Sequence, residues 1–326
     1  MEPTLIRIPV PGPAARGGGP RHVASWWWNA TGRPWPDRVV VCVHGLTRQG
    51  RDFDVLAQAL APHMAVAAVD VAGRGASDWL EDPMGYQLPT YVADLAAVVA
   101  HLRQQHALAT GSADPLALAV DWVGTSMGGL IGMALAAQPA LALHRLVLND
   151  VGPVIEPASL QRIARYVGAD PLFATVEEAA DALWAASPTF GPHTRQQWLA
   201  LTRPMLRPAP GGGWRLHYDP ALALPFRAMV QAQRAAEAAD PTAARAAGQA
   251  AADASAAMLW TLYDAITCPT LLLRGAESDL LSRATALAMT QRGPRARLVE
   301  FPGVGHAPML VQPDQVQVVR DFLLEP

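Results

Sequence analysis

The sequence predicts an α/β fold, a mostly parallel sheet of about eight strands flanked by helices. Three observations carry this. Apolar runs such as Val39-Val40-Val41-Cys42-Val43 and Val66-Ala67-Ala68-Val69 show no polar alternation, as expected of strands covered on both faces. Helix-compatible stretches separate these runs, the strand and helix alternation of βαβ units. The alternation stops near residue 150 and resumes near residue 270, which splits the core around an insertion. At 326 residues, with 51% hydrophobic and 16% charged, the chain is long enough for one large domain carrying an inserted module.

Residues 5–10 and 22–28 predict two short strands joined by a loop rich in Gly and Pro, a hairpin-like opening. Strands follow at 39–43 and 66–71, with a crossover helix at 53–60 between them. A longer helix is predicted over 91–105, with Asp94 near its start where a negative charge suits the helix dipole. Residues 116–123 form the next strand, 128–137 a helix and 146–150 the sixth strand. From about 155 to 258 there are no buried-strand runs, many prolines and a Gly211-Gly212-Gly213 loop, which reads as a helical cap inserted after the sixth strand. Its alanine-rich part, 232–257, fits either a solvated helix pair or a poorly ordered insertion. Strands return at 270–275 and 297–301, and 313–324 supplies a closing helix. The expected division is a core of residues 1–154 and 259–326 and a cap of residues 155–258.

The formal net charge of −3 gives no basic field to attract a polyanion, so nucleic acid is not an expected partner. The two cysteines, Cys42 and Cys268, sit in or beside apolar runs and read as free thiols of a reducing cytoplasm. Residues 1–7 lack the pattern of a cleaved signal, and every long apolar run is interrupted before membrane-spanning length. A cytoplasmic protein with no membrane span is expected; the oligomeric state is not legible.

Gly124-Thr125-Ser126-Met127-Gly128 follows a predicted strand and precedes a predicted helix, the setting of a nucleophile elbow. The glycines leave room for a sharp turn that lifts the Ser126 hydroxyl clear of the sheet. The backbone N–H groups of Met127 and of Leu46, in His44-Gly45-Leu46 after the 39–43 strand, are positioned to form an oxyanion hole. His44 reads as a loop-structuring histidine rather than a base. His306, in the Gly- and Pro-flanked loop after the last strand, is the expected general base. Two carboxylates at strand ends compete to orient it: Asp279, favoured by the chain order Ser, acid, His, and Asp150. His193 and His217 read as cap surface residues. Trp184, Phe190, Trp198, Met205, Trp214 and Phe226 suggest an apolar pocket wall, and hence a preference for small to medium apolar acyl esters over charged ones.

His44-Gly45-Leu46, the loop from Asp70 to Asp78 with Gly73 and Gly75, the elbow, Asp279 and Gly305-His306 stand in an order that resembles the α/β-hydrolase superfamily, in its cap-bearing branch. Asn149-Asp150-Val151-Gly152-Pro153 is similar to a carboxylesterase-like and enol-lactonase-like subgroup. The resemblance implies a serine hydrolase that cleaves carboxylic esters through an acyl enzyme with a Ser126-Asp279-His306 triad, on a small-molecule ester substrate and with no metal or organic cofactor. The Asp70 to Asp78 loop is assigned no chemistry. Serine at the elbow argues against the branches that attack with an aspartate. Alternatives on the same framework are a carbon–carbon bond hydrolase of a dienoic keto acid, with Arg48, Arg195, Arg203 or Arg207 as a carboxylate clamp, an enol-lactonase and an acyltransferase; from another class, a non-catalytic ligand receptor.

Overall fold

A computed structural model describes residues 1–155 and 157–325, with the side chains at 157, 158, 160 and 161 outside the description. The chain runs β1 (Thr4–Val10), β2 (Arg21–Trp28), β3 (Arg38–Val43), α1 (Asp54–Leu60), β4 (Ala65–Asp70), α2 (Leu88–Thr110), β5 (Ala119–Thr125), α3 (Met127–Ala136) and β6 (Arg145–Asn149). Then come α4 (Pro157–Ala164), α5 (Val176–Ala186), α6 (Arg195–Thr202), β7 (Leu206–Pro208), β8 (Trp214–Leu216), α7 (Ala223–Ala239) and α8 (Pro241–Asp264). The chain closes with β9 (Thr270–Gly275), α9 (Arg283–Met289), β10 (Arg297–Phe301) and α10 (Pro313–Leu324).

Eight strands form one sheet in the order β1-β2-β4-β3-β5-β6-β9-β10. Every pairing from β4 to β10 is parallel, and the opening hairpin joins the sheet antiparallel through β2. The lack of alternation in β3 has its expected cause. Val39, Val41 and Val43 face a core shared with α2, α3 and α9, while Val40 and Cys42 face one shared with α1 and α10. Because the strands are parallel, the loops that follow β3, β5, β6, β9 and β10 all emerge at one edge of the sheet, where an open α/β sheet collects its ligands.

Helix α2 is longer than predicted, running until Gly111 takes the left-handed conformation (φ 72°) and its N–H bonds to the Ala107 carbonyl. Asp94 is not a solvated dipole partner. It is fully buried against the Arg21 guanidinium, both oxygens 2.5 Å from guanidinium nitrogens, and it ties α2 to β2. Between β6 and β9 the described residues form the helices α4 to α8, connecting turns and loops, and the β7–β8 hairpin, whose return is made by three consecutive glycines at positive φ. The alanine-rich segment is a helix pair. Asp240 breaks it and caps α8 by accepting from the Thr242 and Ala243 N–H groups, with Pro241 as the first helical residue. Helix α8 runs through position 258, and its last turns return to the main core, where Leu259 and Tyr263 are buried. Helix α9, absent from the sequence reading, is capped by Ser282. Among the described residues, no helix is long and apolar enough to cross a membrane.

Candidate active site

Ser126 closes β5 at φ 52° and ψ −115°, a conformation that costs a non-glycine residue of order 1–3 kcal/mol and is held by its surroundings. A Cβ on Gly124 would overlap the Gly128 carbonyl, and one on Gly128 would overlap the Val43 carbonyl. Both glycines are therefore sterically required where β5 passes into α3 beside β3. The Ser126 N–H donates to the Asn149 carbonyl at 3.0 Å, anchoring the turn to β6.

The Ser126 hydroxyl lies 3.0 Å from His306 Nε2, and His306 Nδ1 lies 2.7 Å from Asp150 Oδ2. Asp150 is fully buried at φ 55°, directly after β6. Its other oxygen accepts from the Gly275 N–H at 2.9 Å, and Oδ2 also accepts from the Ser278 hydroxyl at 2.6 Å. These two donors orient the buried carboxylate so that Oδ2 also accepts from the outer imidazole nitrogen.

Asp279, favoured from the sequence as the partner of His306, is not the carboxylate on the imidazole. It is 40% exposed and forks onto Arg162 of α4, at 2.7 Å to Nε and 2.9 Å to Nη2. Partial burial pushes its pKa up, but the Arg162 hydrogen bonds and charge outweigh this and hold it below the ordinary carboxylate value. The physical reason is the turn after β9. Ser278, not Asp279, points back at the sheet, and the positive φ at Asp150 swings that side chain under the histidine loop.

Asn149 is a connection the sequence reading missed. Its side-chain amide donates to Thr125 Oγ1 at 2.9 Å and to the Pro308 carbonyl at 2.8 Å, joining the residue before Ser126 to the loop carrying His306. A buried amide at the end of a central strand, beside a candidate acid, was the available signal.

His44 is buried, and its role is structural. Nε2 accepts from the Val71 N–H at 3.0 Å, so Nδ1 carries the proton and donates to the Gly45 carbonyl at 2.7 Å. Burial depresses its pKa to about 3. The Arg48 N–H also bonds to the Gly45 carbonyl. In a trans peptide the Leu46 N–H must point the opposite way. Arg74, fully buried in the loop after β4, donates to the Leu46 carbonyl at 2.9 Å and to the Ala72 carbonyl at 2.6 Å. Its Nη2 lies 3.7 Å from Met127 Sδ, so one guanidinium braces both residues expected to offer oxyanion donors.

Two cavities meet at Ser126. One, of about 340 Å³, is bounded by His306, Pro308, Arg48, Arg162, Tyr166 and Phe190 among others. The other, of about 420 Å³, is almost wholly apolar and is bounded by Met127, Leu130, Leu88, Phe226 and Met229. Leu46, Ser126 and Ile163 line both. Of the expected pocket wall, Phe190 and Met205 line the first cavity and Phe226 the second. Trp184 and Trp198 pack with Met309 and Val311 in a separate cluster, and Trp214 packs against the main core. Of the four arginines suggested as a carboxylate clamp, Arg48 alone bounds a cavity described here. Arg195 pairs with Asp181 on the surface. His193 is buried edge-on against Trp198 rather than at the surface, and neither it nor His217 borders either cavity. Both thiols are free and buried, and burial raises their pKa values, that of Cys268 to about 11.

The sheet order, the elbow and the serine–histidine–carboxylate chain define an α/β hydrolase. Residues 40–317 match the model of the alpha/beta hydrolase family, and the chain belongs to that family. It is 44% identical over 294 residues to the 3-hydroxybutyrate-oligomer hydrolase of Cupriavidus necator, covering 89% of this chain and 90% of that one. It is 28% identical to the 2-(acetamidomethylene)succinate hydrolase of Mesorhizobium japonicum, over 86% of each chain. The crystal structure of an α/β hydrolase from Novosphingobium aromaticivorans is similar at 32% identity and a TM-score of 0.73, covering 99% of this chain and 98% of that one. The chain is an enzyme of the hydrolase class.

Proposed function

We propose that the chain is a serine hydrolase that cleaves short oligoesters of 3-hydroxy acids through an acyl enzyme, with Ser126 as nucleophile, His306 as general base and Asp150 as the orienting acid. The observation that carries this reading is the unbroken hydrogen-bonded chain from Ser126 Oγ through His306 to a buried Asp150 that also accepts from the Gly275 N–H and the Ser278 hydroxyl. The substrate class follows from the likeness to the Cupriavidus necator enzyme over nearly the whole of both chains.

His306 Nε2 takes the Ser126 proton as Oγ attacks the ester carbonyl, and Asp150 stabilises the imidazolium that forms. The developing oxyanion is received by the N–H groups of Leu46 and Met127. The Gly45 carbonyl is held by His44 and the Arg48 N–H, which leaves the Leu46 N–H of the same peptide pointing away from both, and Leu46 lines both cavities with Ser126; this supports the assignment. His306 then protonates the departing alcohol oxygen, the carbon–oxygen bond breaks, and the acyl group stays on Ser126. Water, deprotonated by the same histidine, attacks the acyl carbonyl, and the second collapse returns the proton to Oγ and releases the acid. The segment between β6 and β9 acts as a cap, since Ile163, Tyr166 and Phe226 from it close over the nucleophile.

The test is hydrolysis of nitrophenyl esters of graded acyl length by wild type and Ser126→Ala, both checked for folding, with fluorophosphonate labelling followed by peptide mapping. Turnover lost by about 10⁴-fold or more in the variant, with label on Ser126, is expected. No turnover of any ester by folded wild type, or label elsewhere, overturns the proposal.

A further inference from the structure

The two cavities at Ser126 differ in chemistry, and the triad assigns each to one side of the scissile ester. The departing alcohol oxygen must come within hydrogen-bond reach of His306 Nε2, the atom that protonates it. His306 lines the smaller, more polar cavity, so that cavity holds the alcohol part. The apolar cavity, on the side of Met127 and away from the imidazole, holds the acyl chain.

The alcohol cavity contains charge that the reaction scheme does not use. Arg48 sits beside the nucleophile: a Cβ on Gly45 would lie 3.7 Å from Ser126 Cβ and 3.9 Å from Arg48 Cγ. Its side chain is 12% exposed and gives Nε and Nη2 to Asp52, which also borders the cavity, at 2.6 and 2.7 Å. The third nitrogen, Nη1, points at the thioether of Met205, which lines the same cavity, at 2.8 Å. A thioether is a weak acceptor, so a nearly buried cation spends one donor nitrogen on a contact that a carboxylate oxygen would improve. Arg162 also lines this cavity, whereas Asp279, which takes its Nε and Nη2, does not. The Tyr166 phenol lies against Arg162 and within reach of the Arg48 charge.

We propose that Arg48, Arg162 and Tyr166 form a carboxylate-binding pole in the alcohol cavity, so that the preferred leaving group is a hydroxy acid with a free carboxylate. The inference rests on the ester-hydrolase reading and gives it a direction: the scissile ester is the one next to the free carboxyl end, and the product leaving first is a hydroxy acid. The pole differs from the apolar preference expected of the pocket from sequence. The acyl cavity keeps that preference, and charge is accepted on the alcohol side alone.

The test compares kcat/KM for internal ester cleavage in the linear dimer of 3-hydroxybutyrate, as the free acid and as its primary amide, at one pH and ionic strength. Wild type is expected to favour the acid roughly tenfold or more, as a charge-assisted pair implies. Arg48→Met and Arg162→Gln are each expected to bring that ratio toward one, and Arg162→Lys to retain part of it. A loss of fold alone lowers both rates and leaves the ratio standing. If wild type turns over nitrophenyl esters but treats acid and amide alike, or if neither variant changes the ratio, the pole is refuted and the ester-hydrolase reading survives. If wild type turns over no ester, both fall.

Discussion

Arg74 carries a charge into the interior beside Leu46 and Met127, where carbonyls, a sulfur and the rings of Tyr86 and Tyr91 meet it. In the proposed mechanism, a cation beside Leu46 and Met127 raises the potential where negative charge develops and braces the two proposed donors. Arg74→Met is expected to lower kcat by roughly ten- to hundredfold with a smaller effect on KM, and Arg74→Lys to restore part of it, measured on a nitrophenyl ester with thermal melting as the folding control. His44 gives a pH dependence of stability. Its folded pKa, about 3, lies below the ordinary 6.5, so between those values the unfolded chain binds the proton that the folded chain refuses. Stability from this residue is complete above about pH 6.5 and is lost as pH falls, by at most about 1.4 kcal/mol per pH unit. Asp70 acts in the opposite sense, because burial raises its pKa to about 6 and the folded chain holds a proton that the unfolded chain releases above about pH 4. Wild type is therefore expected to show a shallow acid slope between about pH 6 and 4 and a steeper loss below it. His44→Gln should be less stable at pH 7 and flatter below pH 4 by urea unfolding. A wild-type slope as steep at pH 5 as at pH 3.5 contradicts this pairing.

At the scale of elements, the buried Arg21–Asp94 pair and the α7–α8 hairpin mark opposite ends of the stability range. Asp94→Ala leaves a guanidinium buried without its partner between β2 and α2, and should cost about 3–5 kcal/mol by chemical denaturation. Gly248 lies in the exposed interior of α8 with open space around it, so Gly248→Ala should stabilise by about 0.5–1 kcal/mol, read as a small rise in melting temperature. The core strands were legible because two covered faces leave no polar alternation, as β3 shows. Helix α9 was not legible, being seven residues long between two strong strands. The β7–β8 pairing depends on contacts formed only after folding. The choice between Asp150 and Asp279 was invisible for a related reason. Both follow sheet strands, and a single backbone turn at φ 55°, together with the donors on Gly275 and Ser278, decides which carboxylate lies under His306.

Across the whole molecule, the parallel sheet brings residues far apart in sequence to one edge, so the site is built by several loops, and Ile163, Tyr166 and Phe226 from the segment between β6 and β9 line its cavities. Ser126 and His306, 180 residues apart, were recognisable because each needs a particular local setting, an elbow and a loop after the last strand. Arg48 and Arg162 were not recognisable as partners, because only the fold brings the loop after β3 and α4 to the same cavity. The central claim is that acyl transfer runs through Ser126, His306 and Asp150, and the most direct test is kcat/KM of Asp150→Asn and Asp279→Asn on one nitrophenyl ester, both shown to be folded. The account expects a loss of about 10³–10⁴-fold for Asp150→Asn, which disturbs the imidazole tautomer, and a change within a few fold for Asp279→Asn. Loss in Asp279→Asn with activity retained in Asp150→Asn would contradict it.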